Sequence, residues 1–102
     1  MRFEETPSFL ADFRRLSLPE KELFLEAVRE INRAYAARGR ARLPRWPAHL
    51  RLKDVEGAPA VWEMTWSHAG PDGRATFEFV SVHGEPAIRW RRVGDHRIFR
   101  NP

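Results

Sequence analysis

The 102-residue chain has no cysteine, only two lysines (Lys21 and Lys53) and a single tyrosine, Tyr35. Without thiols there are no disulfides, no thiolate metal sites and no cysteine nucleophile. No stretch approaches the roughly 20 apolar residues that a membrane-spanning helix needs. There is no glycine-rich phosphate loop before a helix, no GxSxG and no internal repeat, which sets aside P-loop nucleotide hydrolysis and serine chemistry. No HxxxH spacing occurs, and His49, His68 and His83 fall in loops or turns, so no metal site and no cofactor is expected. The opening MRFEETPSFL lacks the basic-then-apolar order of a signal peptide, and a cytoplasmic location is the expectation.

What is plentiful is arginine. Of the 18 Lys and Arg residues all but two are arginine, the formal net charge is +4, and the sequence pI is near 10.6. A basic balance in a small domain favours a polyanionic partner, and the guanidinium forks onto phosphate and stacks on bases. Codon bias or heat adaptation would also enrich arginine, so the excess alone does not choose a partner. Hydrophobic content of 42% with four tryptophans suits a globular fold, and residues 1–102 supply one core, hence one domain.

Periodicity sets the elements. Residues 2 to 5 suit a short edge strand. Phe9, Phe13 and Leu16 fall on one face of a helix from about Ser8 to Leu16. Ser17-Leu-Pro-Glu20 has the form of a capping box opening a second helix to about Arg38, with Phe24, Val28, Ile31 and Tyr35 as its buried stripe and Gly39 as its stop. Residues 40 to 49, RARLPRWPAH, read as a loop. Period-2 segments follow: Leu50 to Val55, Val61 to Ser67, Ala75 to Val82 and Ala87 to Val93, the last three joined as hairpins by turns at residues 68 to 73 and 83 to 86. The predicted architecture is α+β, an N-terminal helical hairpin packed on one face of a small twisted antiparallel sheet.

Alternation then sorts the faces. Trp62, Met64, Trp66, Ala75, Phe77, Phe79, Ile88 and Trp90 face the helices. Glu63, Thr65, Arg74, Thr76, Glu78, Arg89 and Arg91 share the open face, with Arg51 and Lys53 beside them. The closing WRRVGDHRIFRNP, residues 90 to 102, adds Arg92, Asp95, His96 and Arg97. A polar outer face is the ordinary state of such a sheet, yet here it brings cations from four strands within reach of one ligand.

Three of these segments resemble the RelE/ParE superfamily of bacterial toxins, closest to its RelE/HigB-like branch. LRLKDV (50 to 55) followed by VWEMTW (61 to 66) is similar to the family's "L..L.....lWElr" strand pair. GRATFEF (73 to 79) resembles "gyRvlY", with Arg74 on the family's arginine, and VGDHRIF (93 to 99) resembles "v.gHR..vY". The resemblance spans nearly the whole chain and implies a RelE-like, microbial-ribonuclease-like fold. It also implies a toxin of a toxin–antitoxin system that enters the ribosome, cuts mRNA without a metal and is silenced by a cognate antitoxin. The implied reaction is attack of a ribose 2′-hydroxyl on the adjacent phosphate, leaving a 2′,3′-cyclic phosphate and a 5′-hydroxyl.

On this resemblance Arg74 stabilises the phosphate, His96 serves as base or acid, and Glu63 is the alternative base. Lys53, Arg89 and Arg91, with Arg51 and Arg97, would hold flanking phosphates. Trp46, between two prolines in a basic loop, is the candidate for base stacking. Bland readings stand beside these. His96 would cap the last strand or pair with Asp95, and Glu63 would neutralise Arg74 or Arg91 across the sheet. Relatives often end on a tyrosine, whereas the matching neighbourhood here offers Phe99, which stacks but cannot give a proton. Two other classes therefore remain open: a ParE-like gyrase poison, and a non-catalytic nucleic-acid or protein-binding module.

Overall fold

The computed structural model describes residues 1–41, 43–68 and 72–102. In chain order the elements are β1 (Arg2–Glu5), α1 (Pro7–Arg15), α2 (Leu18–Ala36), a 3-10 turn at Ala48–Leu50, β2 (Lys53–Asp54), β3 (Trp62–Ser67), β4 (Gly73–Val82), β5 (Glu85–Gly94) and a closing 3-10 turn at His96–Arg100. The strands form one sheet in the order β1-β5-β4-β3-β2. No helix among the described residues is long and apolar enough to cross a membrane.

The helical hairpin forms where periodicity placed it, with its caps in place. Thr6 accepts from the Phe9 N–H, and Pro7 follows at the first helical position, where the missing donor costs nothing. The Ser17 and Glu20 side chains each accept from the other residue's backbone N–H, completing the capping box. Phe9 from α1 and Phe24, Ala27 and Ile31 from α2 are buried against Met64, Trp66, Ala75, Phe77, Ile88, Trp90 and Val93 of the sheet. The rings of Phe24 and Trp90 meet edge-on at 5.0 Å, and Phe77 and Trp90 at 5.3 Å. Such contacts add about 0.5–1.5 kcal/mol each beyond the area they bury.

Three features depart from the sequence expectation. The sheet is mixed rather than wholly antiparallel, because β1 runs parallel to β5, pairing Phe3 with Ile88 and Glu5 with Trp90. The strand expected over Leu50 to Val55 shrinks to Lys53–Asp54, since Ala48–Leu50 turns instead and Arg51 adopts a left-handed backbone (φ 48°) that breaks the extended run. The closing segment winds into a 3-10 turn over the sheet instead of ending with the strand. The turn at His83-Gly84 is a two-residue hairpin with both φ values positive, as expected for its tight geometry. Residues 69 to 71 of the turn at residues 68 to 73, and Arg42 of the 40 to 49 loop, lie outside the described residues.

Gly73 is required by a close approach. A Cβ built there would lie 2.5 Å from the Trp66 ring, whose indole N–H donates to the Arg74 carbonyl at 2.9 Å. Gly73→Ala must therefore displace a buried tryptophan and is expected to destabilise the fold by about 1–3 kcal/mol. Urea unfolding measures it, and an unchanged midpoint would contradict the packing.

Candidate active site

Arg74 is the centre of the polar face. It projects from β4 on the side opposite Ala75 and Phe77, and only 8% of it is exposed. Register aligns it with Thr65 on β3, and Glu63 lies opposite Thr76. Arg74 Nη1 donates to Glu63 Oε1 at 3.5 Å, and Nη2 donates to Asp72 Oδ2 at 3.2 Å. The same Nη2 lies 3.4 Å from His96 Nε2. A guanidinium is donor-only, so a hydrogen bond in this contact has Nε2 as its acceptor. Lys53 Nζ reaches Glu63 Oε1 at 3.8 Å from β2. The structure thus brings Arg74, Glu63, His96 and Lys53 together.

Two polar atoms here have no partner among the described residues: Arg74 Nε and Thr65 Oγ1, on register-paired residues of the same face. A buried unpaired donor costs about 1–3 kcal/mol, so both atoms favour a ligand that presents acceptors. A phosphate oxygen fits that requirement, because a guanidinium offers it parallel donors.

The C-terminal segment roofs this face. Asp95 caps the closing turn by accepting from the Arg97 N–H, Ile98 is buried, and the ring centroids of His96 and Phe99 are 5.8 Å apart. Thr76 Oγ1 and Arg91 Nε both donate to the Pro102 carbonyl at 3.0 Å. β5 carries a β-bulge here: Thr76 pairs with Arg92 and Phe77 with Trp90, which leaves Arg91 as the extra residue. Arg91 lies on the polar face beside Glu78, while Arg92 turns to Asp12 on α1.

The other residues singled out in the sequence are placed less centrally. Arg89 is held by Glu78 at 2.9 Å and Glu4 at 3.0 Å, bonds that raise its pKa, Glu78 contributing most. Arg91 shares Glu78 at 3.3 Å, so both arginines meet any phosphate already paired with carboxylate. Arg51 is exposed on its left-handed turn. Trp46 stacks on Phe79 at 6.0 Å, and Phe79 shares the helix-side face of β4 with Phe77; Trp46 therefore lies across the sheet from Arg74. His49 and His68 are not merely solvated, since His49 Nε2 contacts Glu30 at 3.1 Å and His68 Nε2 contacts the His49 carbonyl at 2.7 Å. Among the described residues no three His, Asp or Glu side chains converge as metal ligands.

Asp95 does not pair with His96. It binds Arg97, whose guanidinium and backbone N–H together lower the Asp95 carboxyl from 3.8 to about 2. A lowered folded pKa means that the contribution to stability is full above about 3.8 and is lost as the pH falls through about 2. Arg97 is exposed, so the Asp95 midpoint should rise towards its ordinary value in roughly 1 M salt. Carbon-detected NMR titration reads it; a low-salt midpoint near 3.8 would mean the pair does not form in solution.

Two acidic residues were not singled out by sequence. Asp72 sits two residues before Arg74, the spacing that returns a side chain to the same face of an extended chain. Asp12 stands at i+3 in the stripe formed by Phe9, Phe13 and Leu16, and a carboxylate in an apolar stripe signals a buried partner.

No family model and no curated protein matches the sequence. The fold nevertheless has solved counterparts: two helices on a mixed five-stranded sheet is the architecture of RelE- and YoeB/ParE-type toxins. One chain of the intact E. coli RelBE toxin–antitoxin complex matches with a TM-score of 0.60 and 14% identity, over 92% of this chain and 94% of that one. The YoeB/ParE toxin from Agrobacterium tumefaciens matches with a TM-score of 0.60 and 13% identity, over 94% and 99%. At these identities the likeness is one of fold.

Proposed function

We propose that the protein is the toxin of a toxin–antitoxin pair, of the RelE/HigB-like kind, and that it is a metal-independent endoribonuclease cutting mRNA on the ribosome. The observation that carries this reading is the buried Arg74, with Nε unpartnered and Nη2 against the accepting nitrogen of His96. A substrate phosphate would take the Arg74 donors, and in doing so free His96 Nε2. That nitrogen then accepts the proton of the ribose 2′-hydroxyl. The 2′-oxygen attacks phosphorus and the bond to the 5′-oxygen breaks. The products are a 2′,3′-cyclic phosphate and a 5′-hydroxyl, the departing oxygen taking its proton from solvent. Arg74 stabilises the charge that builds on the phosphorane, and Lys53, Arg89 and Arg91 steer the flanking phosphates. One solved counterpart is described as a toxin and the other is a chain of a toxin–antitoxin complex, which supports a cognate antitoxin as partner.

A second reading is favoured by one specific feature. Arg74, Arg89 and Arg91 all meet carboxylates, which suits a surface that binds without cutting, as in a ParE-like gyrase poison. Induction in growing cells, with 5′-end mapping of mRNA, separates the two. Growth arrest with new cuts inside translated codons, both lost in Arg74→Ala, is the expected result. Arrest without cuts would transfer the protein to the gyrase-poison class, and no arrest from folded protein to the binding modules.

A further inference from the structure

His96 owes its place to a single 3-10 turn, and what fixes that turn lies far from it in sequence. Asp12 on α1 is 9% exposed and accepts three donors: Arg92 Nε at 2.6 Å, Arg92 Nη2 at 3.2 Å and the Val93 N–H at 3.2 Å. This pairing raises the Arg92 pKa, but its geometric effect is the more telling one. With Nε and one N–H of Nη2 on Asp12, the plane of the guanidinium is fixed, and Nη1 donates to the Asn101 carbonyl at 3.0 Å. Arg91 holds the next carbonyl, that of Pro102. The adjacent arginines are thus two fingers on the end of the closing segment, one of them aimed by α1.

Besides this strut the closing segment is held by the buried Ile98 and by Thr76 and Arg91 at Pro102, all on the sheet side. A cleft of about 630 Å³ separates Arg15, Leu16 and Glu20 of the helical hairpin from Asp95, Arg97 and Ile98 of the closing turn. Arg92 and Asp12 line the same cleft, so their bond is the tie across it. If it is cut, the turn has room to move, and His96 moves with it.

We propose that Asp12 is a positioning residue for His96, acting through Arg92 and the Asn101 carbonyl to hold the closing turn over Arg74. The proposal rests on the reading above in which His96 takes a proton, and its test also reads His96 without any RNA. Asp12→Asn keeps the shape but weakens the grip on Arg92; Arg92→Lys keeps the charge but cannot fork between Asp12 and Asn101. Each is expected to slow single-turnover cleavage on programmed ribosomes about 30-fold, as an ångström-scale misplacement does. Ribosome binding should change by less than about threefold, since the loss falls on the chemical step. In the free protein, amide exchange at Ile98 and Asn101, whose N–H groups close the turn, should quicken about tenfold while the Phe77 amide stays protected. The His96-to-Phe99 ring contacts should weaken in NOE spectra.

The swap Asp12→Arg with Arg92→Asp separates positioning from mere bracing. It restores an ion pair between α1 and β5 but leaves no donor for the Asn101 carbonyl. The expected result is urea stability above that of either single variant, short of wild type because the Val93 N–H loses its acceptor, with the turn amides still fast and cleavage still slow. Recovery of full cleavage in the swap, or unchanged turn amides and NOEs in both single variants, would overturn the proposal. Should the wild type cut no RNA at all, the cleavage reading fails, and the exchange and NOE data still decide whether Asp12 places His96.

Discussion

Arg74→Ala is expected to lower cleavage about 1000-fold or more, because it removes the donors that meet the phosphorane and the contact that orients His96. The substitution also strands Glu63, whose remaining cation is Lys53 at 3.8 Å. A buried carboxylate left short of its partner costs about 3–5 kcal/mol, enough to confuse lost activity with lost fold. Two companions remove that ambiguity. Arg74→Ala combined with Glu63→Gln deletes the stranded charge and should regain stability without regaining activity. Arg74→Lys keeps the charge but offers no fork, and should remain at least about 100-fold impaired. Circular dichroism and urea midpoints measured beside the rates complete the comparison. Wild-type cleavage by the lysine variant would reduce Arg74 to a point charge.

His96→Gln carries the second large effect, a loss of about 100- to 10,000-fold in single-turnover rate, the range for removing a positioned base. Glutamine keeps an oxygen that accepts from Arg74 Nη2, so the guanidinium should hold its place. What is lost is the ability to take and release a proton, and one limb of the wild-type pH–rate profile should vanish with it. If the variant retains both limb and rate, His96 is a structural neighbour of Arg74 and Glu63 becomes the base. Phe99 cannot substitute for either role, since its ring has no proton to exchange.

Much of this arrangement was legible from local pattern. Ser17 and Glu20 announced the second helix, because a capping box acts within four residues. Alternation placed Glu63 and Arg74 on one face, because side-chain direction in a strand has a period of two wherever no bulge intervenes. At the bulge between Trp90 and Arg92 the pairing with β4 slips by one residue, which local alternation does not announce. That Arg92 meets Asp12, 80 residues earlier on α1, is decided by the fold and not by the basic run around it. The parallel pairing of β1 likewise depends on where the chain returns 85 residues later, as in Arg2 opposite Ala87 and Phe3 opposite Ile88. Trp46 looked suited to stack on a base, but it stacks on Phe79, a partner 33 residues away on the opposite face from the arginine. Contacts of that range are decided by tertiary packing, and the sequence of either partner alone does not specify them.

The charges of the face carry a related lesson. Alternation puts cations from four strands on the open face, with Glu63 and Glu78 among them. The structure interleaves them with Glu4, Glu63, Asp72 and Glu78, so its local field is closer to balanced than the overall +4 implies. An anionic ligand must then compete with carboxylates for arginine donors, and it gains most at Arg74, where Nε is unpartnered among the described residues. In the proposed reaction that difference in pairing would favour the scissile phosphate over the flanking ones.

The decisive assay uses purified protein, ribosomes programmed with a defined mRNA, and analysis of both new RNA ends, with Arg74→Ala in parallel. Cleavage in the presence of a chelator, giving a 2′,3′-cyclic phosphate on one fragment and a 5′-hydroxyl on the other, and absent from the Arg74→Ala reaction, is the predicted result. Intact mRNA from folded, ribosome-exposed wild-type protein, or 5′-phosphate ends, would contradict it.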